Sequence, residues 1–296
     1  PGAGTFNLSG SGIFISKLNA SGNFVWAKTF VGSTQTIGAS IAVDGAGNVY
    51  TTGVFYQTVD FDPGTATFNM TALSGYSDIF ISKLDSSGKF VWAKSVGGLN
   101  DDYGNSLALD DSGNVYLTGS YLGTADFDPG AATYNLSSLG SYDLFVLKLN
   151  ASGNFLWAKS IGGTTGYAEG YSIAVDRMGN VLTTGRYYGT ADFDPGTGVN
   201  NLSSLGPDVF VSKLDASGNF LWARSLGGIN EEIGISIAAD ASGNVYTSGV
   251  FKGTADFNPG AGPFNMTSSG AYAIFISKLA SSGNFLWARR LAGAGI

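Results

Sequence analysis

The sequence predicts an all-β fold: a tandem array of four-stranded antiparallel blades of about 65 residues each. Three observations carry this. The five tryptophans stand at Trp26, Trp92, Trp157, Trp222 and Trp287, spaced by 66, 65, 65 and 65 residues. Gly-Asn pairs (Gly47-Asn48, Gly113-Asn114, Gly179-Asn180, Gly243-Asn244) and Pro-Gly pairs (Pro63-Gly64, Pro129-Gly130, Pro195-Gly196, Pro259-Gly260) keep the same step. The chain has 45 glycines against 7 prolines, 13% aromatic and only 12% charged residues, which suits short strands joined by tight turns. Self-similarity at one period over the whole length marks a repeat architecture.

Each unit reads as four strands. In the third they are Ser172-Ile-Ala-Val-Asp176, Asn180-Val-Leu-Thr-Thr-Gly185, Asp208-Val-Phe-Val-Ser-Lys-Leu214 and Asn219-Phe-Leu-Trp-Ala-Arg224. The turns Asp176 to Asn180 and Asp215 to Asn219 begin with Asp and carry Gly where a left-handed residue is needed, so both pairs are hairpins. Strands rich in Ile, Val, Phe and Trp on both faces are expected where small sheets stack side by side. The unit exceeds the 40–50 residues of common blade repeats. The excess lies between the second and third strands, where Ala125-Asp-Phe-Asp128 against Thr133-Tyr-Asn-Leu136 predicts an extra hairpin.

The chain divides into a partial first unit at 1–62, full units at 63–128, 129–194 and 195–258, and a C-terminal half unit at 259–296. Phe-x-x-Lys-Leu and Trp strands occur five times but the Gly-Asn-Val type of strand only four, giving about four and a half units. This predicts an open arc, or a window of a longer array, with an exposed hairpin at the N-terminal end. A closed ring with one incomplete blade is the alternative.

Composition also limits function. A net charge of −7 argues against nucleic acid. The absence of Cys removes disulfides and thiolate chemistry, and the absence of His removes the commonest general base and metal ligand. No apolar run reaches membrane-spanning length, so direct membrane insertion is not expected. Pro1-Gly2-Ala3-Gly4 is no signal peptide, and any export signal is expected outside this sequence.

The stretches Asp44-Gly-Ala-Gly-Asn-Val-Tyr-Thr-Thr-Gly53 and Asp110-Asp-Ser-Gly-Asn-Val-Tyr-Leu-Thr-Gly119 resemble the bacterial SBBP-type β-propeller repeat. The longer pattern with Asp-Phe-Asp-Pro-Gly, Phe-Ile-Ser-Lys-Leu and Trp-Ala-Lys resembles repeats of large surface or secreted proteins of Bacteroidota exported by the type IX system. The resemblance implies a propeller-like fold and an extracellular, cell-surface location.

The most suggestive polar motif is Asp-Phe-Asp-Pro-Gly. Asp60 and Asp62, Asp126 and Asp128, and Asp192 and Asp194 stand in pairs, with Asp256 and Asn258 as the fourth copy. Alternation puts the two acids of a pair about 7 Å apart on one face. Paired hard oxygens before a turn are a calcium candidate, though without the third acidic ligand of a calcium loop; the competing reading is turn chemistry, with Phe as a core anchor. No other cofactor is expected. The column Lys17, Lys83, Lys148, Lys213 and Lys278 reads as a solvated edge that blocks unwanted pairing. The column Lys28, Lys94, Lys159, Arg224 and Arg289 reads as stems packed against aromatic rings. Tyr50, Tyr116 and Tyr246 with the tryptophans are either sugar-stacking platforms or inter-blade core. The Asn-x-Ser/Thr triplets at Asn7, Asn69, Asn135 and Asn265 read as turn and strand-edge residues. Asp101-Asp102 and Glu231-Glu232 occupy equivalent loops and read as variable surface decoration.

An active site needs unique residues that converge, whereas these units are nearly identical, so no enzyme is expected. The expected role is a structural or adhesive segment of a bacterial surface protein, self-associating into a homo-oligomer or filament. A glycan- or protein-binding module, contacting surface glycans or other cells, is the alternative.

Overall fold

In the computed structural model, described for residues 5–8, 12–32, 35–270 and 272–291, the chain is all-β, and its single helical turn among these residues is the 3₁₀ turn Leu73–Gly75. The first element is a two-stranded hairpin, Phe14–Leu18 with Phe24–Thr29. Four antiparallel four-stranded sheets follow. The first of these takes Thr36–Val43, Val49–Phe55, Asp78–Leu84 and Phe90–Gly98, and the last takes Glu232–Ala239, Val245–Phe251, Ala273–Leu279 and Phe285–Leu291. In the middle, Asp102–Leu109, Val115–Tyr121 and Asp143–Leu149 share the strand Phe155–Val175 with Val181–Asp192, Asn201–Leu214 and Phe220–Gly228. That strand closes one sheet with its first part and opens the next with its second.

The predicted strands therefore form, and three of the third unit's are longer than the apolar runs because the linking segments there stay paired. Residues 189–192 continue the second strand by bonding to 201–204. Unit boundaries drawn at the Pro-Gly pairs fall in the tips of the extra hairpins, so each stacked sheet is built from parts of two sequence units.

The register repeats with its irregularities. Every complete sheet has a bulge in its first strand, between Gly38 and Ser40, Gly104 and Ser106, Gly170 and Ser172, and Gly234 and Ser236. Opposite the bulge only glycine fits, since a methyl on Gly119 would collide with the Tyr103 carbonyl. A second bulge, at the residue before each Trp, turns Val25, Val91, Leu156, Leu221 and Leu286 out to solvent.

The extra hairpin is present: Thr58–Asp60 with Asn69–Thr71, Thr124–Asp126 with Asn135–Ser137, and Thr254–Asp256 with Asn265–Thr267, repeated within the longer strands at 190–192 and 201–203. It belongs to one sheet by sequence but pairs with the last strand of the sheet before it. Gly98 pairs with Ala125, Gly97 with Asp126, and Gly227 with Asp256. Phe61, Phe127, Phe193 and Phe257, the Phe of each Asp-Phe-Asp/Asn, are fully buried at this junction, with Phe61 5.2 Å from Phe30 of the preceding segment and 5.1 Å from Phe80. Among the described residues no strand of the last sheet pairs with the first hairpin.

Candidate functional site

The polar residues of the repeat converge on the boundaries between sheets. One recurrent turn begins with Asp110: its Oδ1 accepts the Ser112 and Asn114 amides, while its Oδ2 accepts Asn114 Nδ2 and Tyr116 Oη. Burial opposes ionisation, but the Asn114 side chain and amide, then the Tyr116 hydroxyl, hold the carboxyl below its ordinary range. The same bonds around Asp44 and Tyr50 explain why Asp, Gly, Asn and Tyr recur together, and burial followed by the Asp44 charge pushes Tyr50 up to about 12. Tyr50 and Tyr116 are wholly buried, so these two are core and offer no ring to a sugar.

The tryptophans reach forward. Trp26 Nε1 donates to the Ser86 carbonyl at 3.2 Å, Trp92 to Ala151 at 3.3 Å, Trp157 to Ala216 at 3.3 Å and Trp222 to Ser281 at 3.0 Å. Each acceptor lies in the last turn of the following sheet, where Gly88, Gly153, Gly218 and Gly283 lie under the indole. A methyl on Gly153 would sit 3.2 Å from Trp92 Cδ2, and its φ of +77° already disfavours any side chain. The stems of Lys28, Lys94, Lys159 and Arg224 pack on the same glycines, in keeping with the expected stem packing.

The other basic column is not a solvated edge. Lys17 Nζ donates to Ser86 O at 2.9 Å and Lys148 Nζ to Ala216 O at 3.1 Å, beside the Trp bonds. Lys83, Lys148 and Lys278 also lie over the Tyr50, Tyr116 and Tyr246 rings at 4.8, 4.8 and 4.6 Å. Lys213 is buried and pairs with Asp176 at 2.9 Å. The stacking of sheets turns this column from an edge into a joint. Between first strands runs a third link, in which Ser40, Ser106 and Ser172 accept the amides of Leu107, Ile173 and Ile237 at 3.2, 3.3 and 3.2 Å.

The Asp-Phe-Asp motif closes turns. Asp60 Oδ1 accepts the Asp62 and Phe68 amides, and Asp62 Oδ1 accepts the Gly64 amide at 2.7 Å. Asp126 and Asp128, Asp192 and Asp194, and Asp256 with Asn258 repeat this pattern. Among the described residues no three or more acidic side chains cluster as a metal cage.

The surface-decoration reading of Asp101-Asp102 and Glu231-Glu232 is corrected for half of each pair, because Asp102 and Glu232 are wholly buried. Asp102 Oδ2 accepts the Gly98 amide at 2.7 Å, while its Oδ1 has no hydrogen-bond partner. Asp78, 2% exposed, closes on the same spot: a methyl on Gly97 would lie 2.5 Å from Asp78 Oδ1 and 3.1 Å from Asp102 Oδ2. Burial pushes Asp102 up to about 7, with the Gly98 amide opposing and the Asp78 charge adding. Asp208 and Glu232 form an equivalent pair two sheets on, each raised to about 7 by burial. Nothing local in the sequence marks these acids; the one signal was their recurrence at a fixed place in alternate units.

One cluster departs from the repeat. Arg186 pairs with Glu169 at 2.7 Å and, across the boundary, with Glu231 at 3.1 Å. Its guanidinium lies 5.3 Å from the Tyr167 ring and 5.8 Å from Tyr171. Tyr171 donates to Glu169, Tyr272 donates to Glu231, and Tyr188 stacks obliquely on Tyr167 at 6.2 Å. Tyr103 and Tyr142, 5.9 Å apart, pair on the neighbouring sheet. Together they place partly exposed tyrosines along successive sheets.

Among known proteins, the chain is 26% identical over 99% of its length to an uncharacterized WD repeat-containing protein of Acanthamoeba polyphaga mimivirus, of which it covers 26%. It is 32% identical, over 49% of its length, to the regulatory protein FlaEY of Caulobacter vibrioides, of which it covers 15%. The chain thus spans no more than about a quarter of these relatives. A crystal structure of a protein of unknown function from Bacteroides caccae overlaps 95% of this chain and 92% of that one with 12% identity, but its TM-score of 0.35 carries no argument. Residues 26–54 and 91–120 match the SBBP beta-propeller repeat. Both matches begin at or beside a Trp and end at the second strand of the next sheet, spanning the recurrent Asp-x-x-Gly-Asn turn, so these two segments are similar to beta-propeller repeats of this type.

Proposed function

We propose that this chain is a structural and adhesive repeat segment of a bacterial extracellular or cell-surface protein, whose sheets stack into an array that self-associates. One observation supports the reading: the recurrent Trp, Lys and Ser groups are used between sheets, binding each sheet to the next. Large apolar side chains stay exposed beside these joints, with Phe14, Ile41 and Val43 at 69%, 57% and 60% and Ile274 at 50%. Contiguous exposed apolar surface marks an interaction site. The chain performs no catalysis in this reading: it has neither His nor Cys, and its units are nearly identical. Sedimentation velocity over a wide concentration range, with electron microscopy of the concentrated protein, tests it. A single monomeric species throughout would overturn it. Export by a type IX route belongs to the same proposal, and a C-terminal sorting domain in the flanking sequence is its test.

The tyrosine and Arg186 cluster favours a second reading, a glycan- or protein-binding module. Tyr188 and Tyr272, 44% and 50% exposed, are the rings available for stacking, in place of the buried Tyr50 and Tyr116. A glycan array probed with the protein and its Tyr188→Ala variant decides this reading. Binding lost in the variant supports it, and a blank array removes the glycan form.

A further inference from the structure

The buried acids stand in pairs at the first and third boundaries between complete sheets, and singly at the middle one. Asp78, Asp143 and Asp208 hold one register position, opposite Phe55, Tyr121 and Tyr187 of the second strands. Asp102, Ala168 and Glu232 hold another, two residues before the first-strand bulge of the following sheet. The Asp102 amide bonds to the Ser77 carbonyl and the Ala168 amide to the Tyr142 carbonyl, both at 2.9 Å, so the two positions adjoin in the same way at each boundary. Both pairs lie where the extra hairpin pairs backward, with Gly97 and Gly98 on Asp126 and Ala125, and Gly227 and Gly228 on Asp256 and Ala255. The carboxyl groups of a pair converge. Asp78 Oδ1 and Asp102 Oδ2 close on Gly97, and the Gly228 amide donates to Glu232 Oε2 at 2.9 Å and to Asp208 as well. Asp78, Asp102, Asp208 and Glu232 are 2%, 0%, 7% and 0% exposed, and each has one oxygen without a hydrogen-bond partner. The other titratable groups near them are Asp101 beside Asp102, Glu231 beside Glu232, and the Tyr121, Tyr142 and Tyr187 hydroxyls. Lys252 meets Glu232 through its backbone amide, and among the described residues no Lys or Arg forms an ion pair with any of the four acids.

We propose that Asp78 with Asp102, and Asp208 with Glu232, each hold one proton between their two carboxyl groups, and that these protons lock the first and third joints of the stack. The protonated carboxyl donates to the carboxylate of its neighbour, which supplies a hydrogen bond that the orphaned oxygens lack. Two carboxyl groups this close and this dry cannot both ionise at little cost. When the proton leaves to solvent, two like charges face each other at the point where the extra hairpin returns to the preceding sheet, and the joint loosens. The middle joint is the built-in contrast. There Ala168 replaces the second acid, the lone Asp143 takes hydrogen bonds from the Leu139 and Gly163 amides and the Ser160 hydroxyl, and burial raises it only to about 6 against about 7 for both members of each pair. That joint is also spanned by the single strand Phe155–Val175, which serves the sheets on both sides. Loss of the two protons therefore leaves the two middle sheets as one body and frees the sheets that flank them.

The lock is independent of the self-association proposed above, and a carbon NMR titration of the Asp and Glu carboxyl groups in the 296-residue chain tests it. The expected result is that the Asp78 and Asp102 carbons move together in two shared steps, as coupled groups do, while Asp143 moves in one. Asp102→Ala copies the middle joint and should reduce Asp78 to a single step. Asp102→Asn keeps the shape of the side chain and should do the same, which guards against misfolding of the first variant, with circular dichroism as the check on both. Asp78 and Asp102 each titrating in one step, indifferent to loss of the other, overturns the shared proton. Hydrogen exchange between mildly acidic and mildly alkaline buffer, corrected for intrinsic exchange, tests the joints. The Gly98 and Gly228 amides are expected to lose protection by at least ~10-fold, the effect of one proton over one pH unit, and the Gly163 amide by less. Asp102→Asn should keep Gly98 protected in alkali. Equal loss at all three glycines overturns the lock. So does protection restored in alkali by added calcium, since a cation rather than a proton would then hold the pair.

Discussion

Trp92 Nε1 lies 3.3 Å from the carbonyl oxygen of Ala151, a residue 59 positions further along the chain and in the next sheet. The bond is the centre of a contact in which an indole, a left-handed glycine and a lysine stem close on one another. A repeat protein holds together through such nearest-neighbour terms, each counted once per boundary.

Trp92→Ala is expected to cost ~3–5 kcal/mol, the range for deleting a packed aromatic. Gly153→Ala on the facing turn is expected to cost ~1 kcal/mol or more, through its positive φ and its contact with the indole. The measurement is urea unfolding of the two single variants and the double variant. The double variant should cost less than the sum, because both changes break the same contact; full additivity would show that the two residues act separately.

Stability is expected to fall as pH rises from about 4 to about 8. Asp78, Asp102, Asp208 and Glu232 are raised to about 7 and Asp143 to about 6, each mainly by burial. Between the unfolded and folded values the native state holds more protons, so their contribution is complete below the unfolded pKa and is lost as pH passes the folded one. Near pH 4 and below the opposite group takes over. Asp110, Asp176 and Asp215 are held low, with burial opposing and Asn hydrogen bonds prevailing, and they lose stability as acid protonates them. Thermal melts from pH 3 to 9 should therefore peak in mildly acidic buffer. Asp102→Asn should flatten the upper limb and raise the midpoint at pH 8, by on the order of 2 kcal/mol of stability.

Calcium is expected to leave the melting temperature unchanged. In the Asp-Phe-Asp turns Asp126 Oδ1 already accepts the Asp128 and Tyr134 amides, and Asp128 Oδ1 accepts the Gly130 amide at 2.8 Å. Asp126→Ala should instead destabilise equally in calcium and in chelator, by ~1–2 kcal/mol for the orphaned amides. A midpoint that rises with calcium and returns with chelator would restore the metal reading.

The sequence by itself determined the period, the strands, the hairpin turns and the extra hairpin, because these depend on residues within a few positions of one another. Asp110 bonds to Ser112, Asn114 and Tyr116, and that spacing is legible without a partner from elsewhere. Phe127 was likewise legible as a core anchor from its place between two turn-forming acids. Only the tertiary structure decided what each unit touches. The extra hairpin pairs backward, with Ala125 on Gly98, while Trp92 and Lys83 reach forward to Ala151, and Asp102 is buried against Asp78 although its loop reads as surface. The physical reason is range. Strand and turn formation follow from local alternation and backbone preference, whereas burial follows from how far one sheet is offset on the next, and no local pattern specifies that offset.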